Sequence, residues 1–414
     1  MLTKWPVDMR IVLLTSVYPS KNSPKGTTPV IHYFAKEWVK SGHDVHVFHI
    51  ESLFPFFYYW AGRLFKKPLE TRLGHLIPNK KPTAYYEDKD GVKVSHLILK
   101  KNKPHSHFSE SQLQYIVDQI ALIIDTDGVP DCFVGHWDNP QLELLYRLKT
   151  RFDRPSCLVF HCNHFNRLLR EYNDTDLMRM LSSLDTIGFR NATAQANFIK
   201  LFGEPTRSFI AASGVSNSFI EAGISSFRLF DIANRFVYVG SLIGRKEPLS
   251  VMESLVDVYK EAWFSMTYIG EGEERKKIER FYASHKCGGE LVFTGRIPRD
   301  EVISYLKQSD IFIMISRGEI FGLVYLEAMA LGCIPVASKG EGIDGIIKDG
   351  VNGFLCEAGN TTELSTILRK IRCMGKDELT EMSVKAMETA REYSDVNVAE
   401  RYIDELSAIS KKAN

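Results

Sequence analysis

Residues 318–338 read GEIFGLVYLEAMALGCIPVAS and directly follow the apolar run IFIMI at 311–315. A short apolar run next to polar and glycine residues is typical of a buried strand. Apolar residues then recur at helical spacing, which predicts a helix that begins near Gly322. The stretch therefore predicts a strand, a loop and a helix, the repeating unit of a parallel sheet.

Two glutamates occupy defined places in this unit. Glu319 lies in the loop before the predicted helix, and Glu327 follows eight residues later, in the second helical turn. The backbone amides of Phe321, Gly322 and Leu323 would lie at the start of the helix, where anions bind. A carboxylate inside the helix suits the paired hydroxyls of a ribose. On spacing alone, an ordinary strand–loop–helix unit with two solvated glutamates is the plainer interpretation.

Short apolar runs alternate with longer helical patterns along the whole chain, which is the pattern of strands joined by crossover helices. The strands predicted in the first half are 11–15, 45–50, 92–99, 131–136, 157–161 and 186–189, with helices at 30–40 and 111–124. Those predicted in the second half are 236–240, 264–270, 291–295, 311–316 and 334–338. The fold class is therefore α/β, with two Rossmann-like doubly wound domains.

The domain bounds follow from a change of pattern near the middle of the chain. Residues 208–234 carry glycine, serine and asparagine between periodic segments, which is typical of a linker. The predicted domains are 1–210 and 211–394, followed by a helix in 395–414, for which packing back on the N-terminal domain is one of two open arrangements. Ligands of such sheets bind beyond the carboxyl ends of the strands, so we expect the chemistry there, in a cleft between two facing domains.

Composition excludes several classes of protein. Hydrophobic residues make up 44% and charged residues 25% of the 414 residues, as in folded globular proteins rather than disordered or fibrous chains. Lysine plus arginine total 52 against 51 acidic residues, so the net charge of +1 predicts no nucleic-acid partner. The seven cysteines are scattered without a CxxC pair, and no segment has the pattern of a signal peptide or membrane span. Together these features predict a cytoplasmic protein.

The stretch 318–338 resembles the donor-binding motif of the retaining family 4 glycosyltransferases, which have the GT-B fold. The matching residues are Glu319, Phe321, Gly322, Leu326, Glu327, Ala328, Met329, Ala330, Gly332, Pro335 and Val336. The resemblance implies that Glu319 holds hydroxyls of the donor sugar near the reacting carbon and that Glu327 holds the nucleotide ribose. The amides of Phe321, Gly322 and Leu323 would hold the sugar and the diphosphate.

A second segment supplies the expected cations. Residues 239–248, VGSLIGRKEP, resemble a family segment in which two cations neutralise the donor diphosphate. Lys246 matches the lysine, and because Ser241 stands where the family often has arginine, the second charge is assigned to Arg245. Fixed cations stabilise the charge that a leaving diphosphate gains. The alternative is that Arg245 and Lys246 cap a surface turn.

Two further segments of the C-terminal half match the family. In relatives of the segment 292–313, the backbone after the glycine faces the nucleotide base, which assigns Arg296 and Ile297 to base binding. Residues 340–355 also resemble a family segment, but Glu341 interrupts its glycine pair. No site is predicted there.

The N-terminal domain resembles the family less closely, as expected of a domain that binds a variable acceptor. Residues 18–48 match an opening loop and helix, and Gly26 in that loop would let the backbone approach the diphosphate closely. Two predicted strands end in histidine, and His161 matches the histidine placed near the reacting sugar in relatives.

The candidate metal ligands in the sequence are weak evidence for a metal site. His161, Cys162 and His164 are close in sequence, but alternate residues of a strand point to opposite faces and no fourth ligand is evident. Three Asp-x-Asp triplets, which suggest the metal-binding motif of the other glycosyltransferase fold, sit in polar turns or helix ends at 88–90, 125–127 and 174–176. The prediction is that no metal or other cofactor is bound and that the nucleotide sugar is a donor substrate.

Residues 52–82 form a segment rich in aromatic and basic side chains. It holds Phe54, Phe56, Phe57, Tyr58, Tyr59, Trp60 and Phe65 beside Arg63, Lys66 and Lys67. Aromatic residues next to cations suit the interface of an anionic bilayer, and the apolar part is too short to cross one. Membrane contact and an aromatic flap packed on its own domain are equally weighted alternatives.

These observations and the resemblance predict a retaining, metal-independent glycosyltransferase. It would move a sugar from a nucleotide-diphosphate sugar, UDP- or GDP-linked, to a hydroxyl of a glycan or lipid-linked acceptor. Bacterial surface-polysaccharide synthesis, at the inner face of the cell membrane, is the expected setting. Two alternatives stay open: a sugar-nucleotide epimerase of the same fold, and a non-catalytic subunit that binds a glycan or nucleotide sugar. The intact Glu319, Glu327 and Lys246 argue against the second alternative.

Overall fold

The computed structural model describes residues 8–23, 29–56, 59, 81–101, 107–224, 230–285 and 287–411. The chain forms two compact units. Unit 1 comprises Met1–Arg190, Ala194–Ala211 and Ala399–Asn414, and unit 2 comprises Asn191–Thr193 and Ala212–Val398. Each unit is built on one twisted sheet of mainly parallel strands, as the alternating pattern predicts.

The sheet of unit 1 contains strands β1 (Arg10–Thr15), β2 (Asp44–Leu53), β3 (Tyr85–Lys89), β4 (Val92–Lys100), β5 (Cys132–His136), β6 (Ser156–Phe160), β7 (Thr186–Phe189) and β8 (Ser208–Ile210). Their order is β3-β4-β2-β1-β5-β6-β7-β8, and only β3 runs antiparallel to its neighbour. The apolar pattern did not predict β3 because this edge strand, YYEDK, has no buried residue.

The helices of unit 1 are α1 (Val30–Lys40), α2 (Glu110–Asp127), α3 (Gln141–Phe152), α4 (Asn166–Glu171), α5 (Asp174–Ser183) and α6 (Ala192–Phe202). A capping box starts α2: the Gln112 amide donates to the Ser109 side chain, and the Ser109 amide donates to the Gln112 side chain. The apolar face of α2 then packs into the core of the unit beside Phe133 and Leu158. Such packing stabilises the helix more than its intrinsic propensity does.

The sheet of unit 2 contains strands β9 (Arg235–Val239), β10 (Ser265–Ile269), β11 (Glu290–Gly295), β12 (Ile311–Ile313), β13 (Ile334–Ser338) and β14 (Phe354–Cys356). The connecting helices are α7 (Asn217–Ile224), α8 (Pro248–Val258), α9 (Arg275–Ser284), α10 (Arg299–Gln308), α11 (Leu323–Ala330), α12 (Thr361–Cys373) and α13 (Lys376–Glu392). The strands are parallel, in the order β11-β10-β9-β12-β13-β14. In a sheet of this order, ligands bind where the order reverses, beyond the carboxyl ends of β9 and β12.

The predicted linker at 208–234 includes the boundary between the two units, at Ala211 and Ala212, and its described residues are more ordered than its composition indicates. It contains β8 and α7, and Phe219 of α7 is buried. Gly223 of the same helix lies against the backbone carbonyl of Ala330. Both elements are too short to produce a clear apolar period, so the glycine and serine residues dominated the sequence pattern.

The last helix, α14 (Asp395–Ser410), contributes to the core of unit 1 from Ala399 onward. Tyr402 is 2% exposed, packs edge-on against Phe34 and Trp38, and shares a 3.2 Å hydrogen bond between its hydroxyl and His136 Nε2. The indole of Trp38 donates to the carbonyl of Ala399 at 3.0 Å. This helix therefore completes unit 1 after the chain has formed unit 2.

The aromatic segment 52–82 lies largely outside the described residues, so its predicted membrane contact stays a prediction. Of its aromatic side chains, Phe56 is 68% exposed and Tyr59 is buried. The Tyr59 hydroxyl accepts a hydrogen bond from the Phe54 amide at 3.1 Å. In the part of the chain that the structure covers, we find no helix with the length and apolar content needed to cross a bilayer.

Candidate active site

The two loops that leave β9 and β12 meet at the point where the strand order of unit 2 reverses. The loop after β9 contains a 3₁₀ turn, Gly244–Lys246, before α8 begins at Pro248. The loop after β12 carries Glu319 and ends where α11 begins at Leu323. Residues from both predicted motifs are thus brought together at one edge of the sheet.

Lys246 and Glu319 form an ion pair across these two loops. Lys246 Nζ lies 2.5 Å from Glu319 Oε2, and the side chains are only 14% and 16% exposed. The Ser316 hydroxyl lies 3.4 Å from the same carboxylate oxygen. Because little water screens the pair, each charge is held in a defined place, as a site that binds a charged substrate requires.

Arg245 lies on the exposed side of the same turn, beside an arginine that the sequence analysis did not select. Its guanidinium donates to the carbonyl of Arg317 at 3.3 Å, and the Arg317 amide donates to the carbonyl of Arg245 at 2.7 Å. The Arg317 side chain pairs with Glu247 at 2.8 Å. The candidate site therefore has a third neighbouring cation, which became visible only when the two loops were brought together.

Glu341 holds the loop that carries Glu319. Its two carboxylate oxygens accept hydrogen bonds from the backbone amides of Gly318 at 2.9 Å and Glu319 at 2.7 Å. No site was predicted at Glu341 because it interrupts a familiar glycine pair. The structure shows that this substitution adds a carboxylate that orients the Glu319 backbone.

Gly342 packs directly against the same loop. Its amide donates to the Glu319 carbonyl at 2.9 Å, and a Cβ atom at this position would lie 2.3 Å from the Ile320 carbonyl carbon and 2.4 Å from the Phe321 nitrogen. No side chain fits into that space, because both contacts are with backbone atoms. The position of Glu319 thus depends on the absence of a side chain at Gly342.

We expect Gly342→Ala to displace the loop and to lower kcat/KM for sugar transfer by about 100-fold, the typical cost of misplacing a reacting group by about 1 Å. The matched control is Gly375→Ala, because a Cβ atom there would have no neighbour within 4 Å. Steady-state kinetics and circular dichroism of both variants test this expectation. A folded Gly342→Ala enzyme with wild-type kcat/KM would show that the loop tolerates the contact.

The helix that carries Glu327 begins as the sequence predicts. Gly322 is the residue before α11 and adopts the left-handed conformation, with φ 74° and ψ 55°, which favours glycine. The hydroxyl of buried Tyr325 donates to the carbonyl of Met314 and fixes the helix start to the end of β12. The amides of Phe321, Gly322 and Leu323 lie at this helix start, where the sequence analysis expected an anion.

Glu327 is buried and has an ionic partner that the sequence analysis missed. It is 6% exposed, and its Oε1 accepts a hydrogen bond from Arg299 Nε at 2.6 Å. Burial raises the pKa of the Glu327 carboxyl, and the nearby guanidinium of Arg299 partly opposes this rise. Arg299 is the first residue of α10, 28 positions away in sequence, so no local spacing connects the two.

The residues assigned to the nucleotide base lie just before this arginine. Arg296 and Ile297 belong to the loop between β11 and α10, with Arg296 exposed and Ile297 half-buried. Because this loop is short, the residues assigned to the base lie next to the Arg299–Glu327 pair in unit 2. The role of Arg296 and Ile297 stays a prediction.

His161 belongs to unit 1 and follows β6 directly. Its Nε2 lies 2.9 Å from His136 Nδ1, and its ring stacks on Trp137 with the centroids 3.9 Å apart. Desolvation by the surrounding protein, followed by the charge of Arg190, lowers the pKa of His161 well below its usual value. The imidazole is therefore neutral at physiological pH and is suited to hydrogen bonding rather than to carrying charge.

The remaining predicted N-terminal residue, Gly26, lies outside the described residues. The Asp-x-Asp triplets occupy the end of β3, the last turn of α2 and the first turn of α5. Asp90 pairs with His32 at 2.7 Å, and Asp176 pairs with Arg179 at 2.6 Å within α5.

Two doubly wound sheets of mainly parallel strands, with paired acidic and basic side chains at the switch point of the second, form the architecture expected of the GT-B fold. The family described as glycosyl transferases group 1 matches residues 224–392. The uncharacterized glycosyltransferase MJ1178 of Methanocaldococcus jannaschii is 33% identical over 282 residues, which cover 64% of this chain and 73% of that protein. The chain therefore belongs to the glycosyl transferases group 1.

Solved structures support the same fold. A glycosyltransferase from Rickettsia africae aligns with a TM-score of 0.68 at 16% identity, over 98% of this chain and 99% of that one. HepE from Anabaena, in complex with UDP and glucose, aligns with a TM-score of 0.60 at 17% identity, over 97% of this chain and 100% of that one. The predicted GT-B fold and the prediction of a glycosyltransferase are confirmed.

Proposed function

We propose that this glycosyltransferase moves a sugar from a nucleotide-diphosphate sugar to a hydroxyl acceptor, with retention of anomeric configuration and without a metal ion. The observation that carries the proposal is the Lys246–Glu319 pair at the strand-order switch of unit 2, with Glu327 on the helix that follows. A cation and a carboxylate in fixed contact fit the two ends of a sugar diphosphate: the anionic phosphates and the neutral hydroxyl groups.

The ion pair is proposed to hold the site ready in the absence of the donor. When the donor binds, its diphosphate replaces Glu319 as the partner of Lys246, and the sugar hydroxyls donate to the Glu319 carboxylate. This exchange leaves neither partly buried charge without a partner, which would otherwise cost several kcal/mol. Arg245 and the amides at the start of α11 complete the diphosphate site in this proposal.

Glu327 is proposed to accept hydrogen bonds from the ribose, and residues 296–297 to contact the base. The guanidinium of Arg299 opposes the rise in the pKa of buried Glu327 and so favours the ionised form, which can accept from two hydroxyls. The HepE structure holds UDP, and a UDP-linked donor, or a GDP-linked one, is accordingly proposed for this chain. His161 is assigned to the reacting sugar on the family resemblance alone.

The proposed reaction forms one glycosidic bond and breaks another. The acceptor oxygen attacks the anomeric carbon on the face from which the diphosphate departs, the electron pair of the breaking bond goes to the diphosphate, and the acceptor proton passes to the departing diphosphate oxygen. Lys246 and Arg245 stabilise that developing charge. The acceptor is proposed to be a glycan or a lipid-linked hydroxyl in surface-polysaccharide synthesis, used at the inner face of a bacterial cell membrane with contact through residues 52–82.

The donor can be identified with a thermal-shift panel of UDP-, GDP-, ADP- and dTDP-sugars, each with and without EDTA. We expect one nucleotide class to stabilise the protein selectively and EDTA to leave that shift unchanged. Stabilisation that requires a divalent cation would overturn metal independence, and no stabilisation by any nucleotide sugar would overturn the proposed donor class. Retention is tested by NMR of the sugar released during slow donor hydrolysis, whose first anomer should match that of the donor.

A further inference from the structure

Unit 1 contains a cluster of two histidines and a glutamate on one face of its sheet. His49 and Glu51 are two residues apart on β2, so their side chains point to the same face, and His96 is the register partner of His49 on the neighbouring strand β4. The Nδ1 atoms of the two imidazoles are 2.9 Å apart. The ligand-type atoms of all three residues lie within 4.8 Å of one another.

Each member of the cluster is anchored by a second group. His96 Nε2 lies 2.9 Å from Glu87 Oε1, and the His49 ring is hydrogen-bonded to the backbone of Ser16. Asn22 Nδ2 donates to Glu51 Oε2 at 2.9 Å. Metal-binding histidines typically donate their second ring N–H to a carboxylate or a backbone carbonyl, which fixes the tautomer and aims the other nitrogen at the metal.

The anchoring of His96 leaves a nitrogen lone pair that points into the cluster. His96 donates through Nε2 to the Glu87 carboxylate and therefore presents an unprotonated Nδ1 to His49 Nδ1, 2.9 Å away. His49 and His96 are 2% and 1% exposed, so the cluster is enclosed by protein, and the neutral imidazole is the form that binds metals.

We propose that His49, His96 and Glu51 bind a divalent transition-metal ion of the Zn²⁺ type. Two imidazoles and one carboxylate form a donor set that such ions accept, with water in the remaining position. Ligands at Zn–N distances of about 2.0–2.1 Å are about 3.3 Å apart in a tetrahedral site, close to the 2.9 Å that separates the two Nδ1 atoms.

The bound ion would have a structural role. It would join β2 to β4 and, through the contact of Glu51 with Asn22, the loop that follows β1. The three ligands belong to unit 1, whereas Lys246, Glu319 and Glu327 belong to unit 2. None of the three ligands is among the residues assigned to the transfer reaction, so the ion is proposed to take no part in it.

The chain also supplies a matched control. His46 lies on β2 three residues before His49, so its side chain points to the opposite face, where it shares a 2.9 Å hydrogen bond with Ser95. It is buried to a similar degree, at 8% exposure. His46→Gln removes a buried imidazole from the same strand without removing a proposed ligand.

The test is calorimetric titration of Zn²⁺ into the full chain, prepared without a histidine tag and stripped with a chelator, with the bound metal counted after dialysis. We expect one tight site per chain in the wild type and in His46→Gln, at least about tenfold weaker binding in Glu51→Gln, and loss of the site in His49→Gln. Glu87→Gln removes only an anchoring carboxylate and should weaken binding by about 10–100-fold.

Thermal melts show whether the His49→Gln variant, which loses a buried histidine, is folded. Glu51 is only partly buried, so Glu51→Gln should fold normally, and Zn²⁺ should raise the melting temperature of the wild type by more than that of this variant. The proposal is overturned if folded Glu51→Gln and His49→Gln bind Zn²⁺ as the wild type does, if His46→Gln loses the site equally, or if the wild type binds none. Donor binding that survives EDTA is a separate result and tests only the proposed function.

Discussion

Glu319→Gln is expected to lower kcat for sugar transfer by about 10²–10³-fold, the typical cost of removing one preorganised electrostatic contact to a transition state. The amide keeps the size of the side chain and can still accept a hydrogen bond from a sugar hydroxyl. It cannot stabilise the positive charge that develops at the anomeric carbon as the diphosphate departs. Donor affinity should change far less than kcat, because Lys246 becomes free to pair with the diphosphate.

The measurement combines initial rates at saturating donor with calorimetric donor binding. Glu247→Gln is the matched control, because Glu247 lies in the neighbouring loop, is partly buried and pairs with Arg317 rather than Lys246. We expect that variant to keep kcat within about tenfold of the wild type. If Glu319→Gln has the kcat of the wild type, or if only its affinity for the donor falls, Glu319 does not act in the chemical step.

Arg299→Met is expected to destabilise the protein at neutral pH and to make its stability depend on pH. Removing one partner of a buried ion pair costs about 3–5 kcal/mol. We expect about 2–3 kcal/mol here, because the Arg299 side chain is 34% exposed and partly screened. For a unit of this size, that corresponds to a melting temperature lower by roughly 5–10 °C.

The sign of the pH dependence follows from the pKa of Glu327. Burial already raises this pKa above its ordinary value of 4.5, and loss of Arg299 raises it further. A carboxyl with a raised folded-state pKa contributes its stability below the unfolded pKa and loses it as the pH rises through the folded value. The difference in stability between wild type and Arg299→Met should therefore be small near pH 4 and grow toward pH 8.

Denaturant unfolding at several pH values measures this difference. The double variant Arg299→Met, Glu327→Gln carries no charge at either position and should show no such growth with pH. Arg275→Met is the control for an exposed pair: Arg275 contacts Glu279 at 2.9 Å, and the two side chains are 37% and 43% exposed, so an effect below about 1 kcal/mol is expected. A pH-independent loss in Arg299→Met would mean that its packing, rather than its charge, supports Glu327.

Local patterns predicted most elements that have a clear apolar period. The helix at 30–40 has the bounds that were predicted, and α11 starts next to Gly322, as the spacing of its leucines requires. The predicted linker at 208–234 contains the boundary between the two units, but its pattern did not reveal β8 and α7, which are too short to establish a period. Edge strand β3 was not predicted because its residues are at most half-buried.

The residues of the candidate site also fall into two groups: those predicted from local motifs and those found only in the structure. Glu319, Glu327 and Lys246 were found from motifs whose members lie within ten residues of one another or in one recognisable segment. Arg299, Arg317 and Glu341 were not, because each acts through a partner or a backbone group brought to it by another loop. The His49–His96 pair is 47 residues apart and depends on strand register, which no single segment encodes.

Local sequence patterns were sufficient to predict the α/β class, the two doubly wound sheets and the carboxylates and lysine at the ends of their strands. These properties follow from local periodicity and from the short-range chemistry of loops and helix starts. The pairing of the charges, the depth at which Glu327 is buried and the support that Gly342 gives the Glu319 loop were found only in the folded structure. Burial and ion pairing depend on the distances between elements far apart in the chain, and those distances exist only once the sheets have formed.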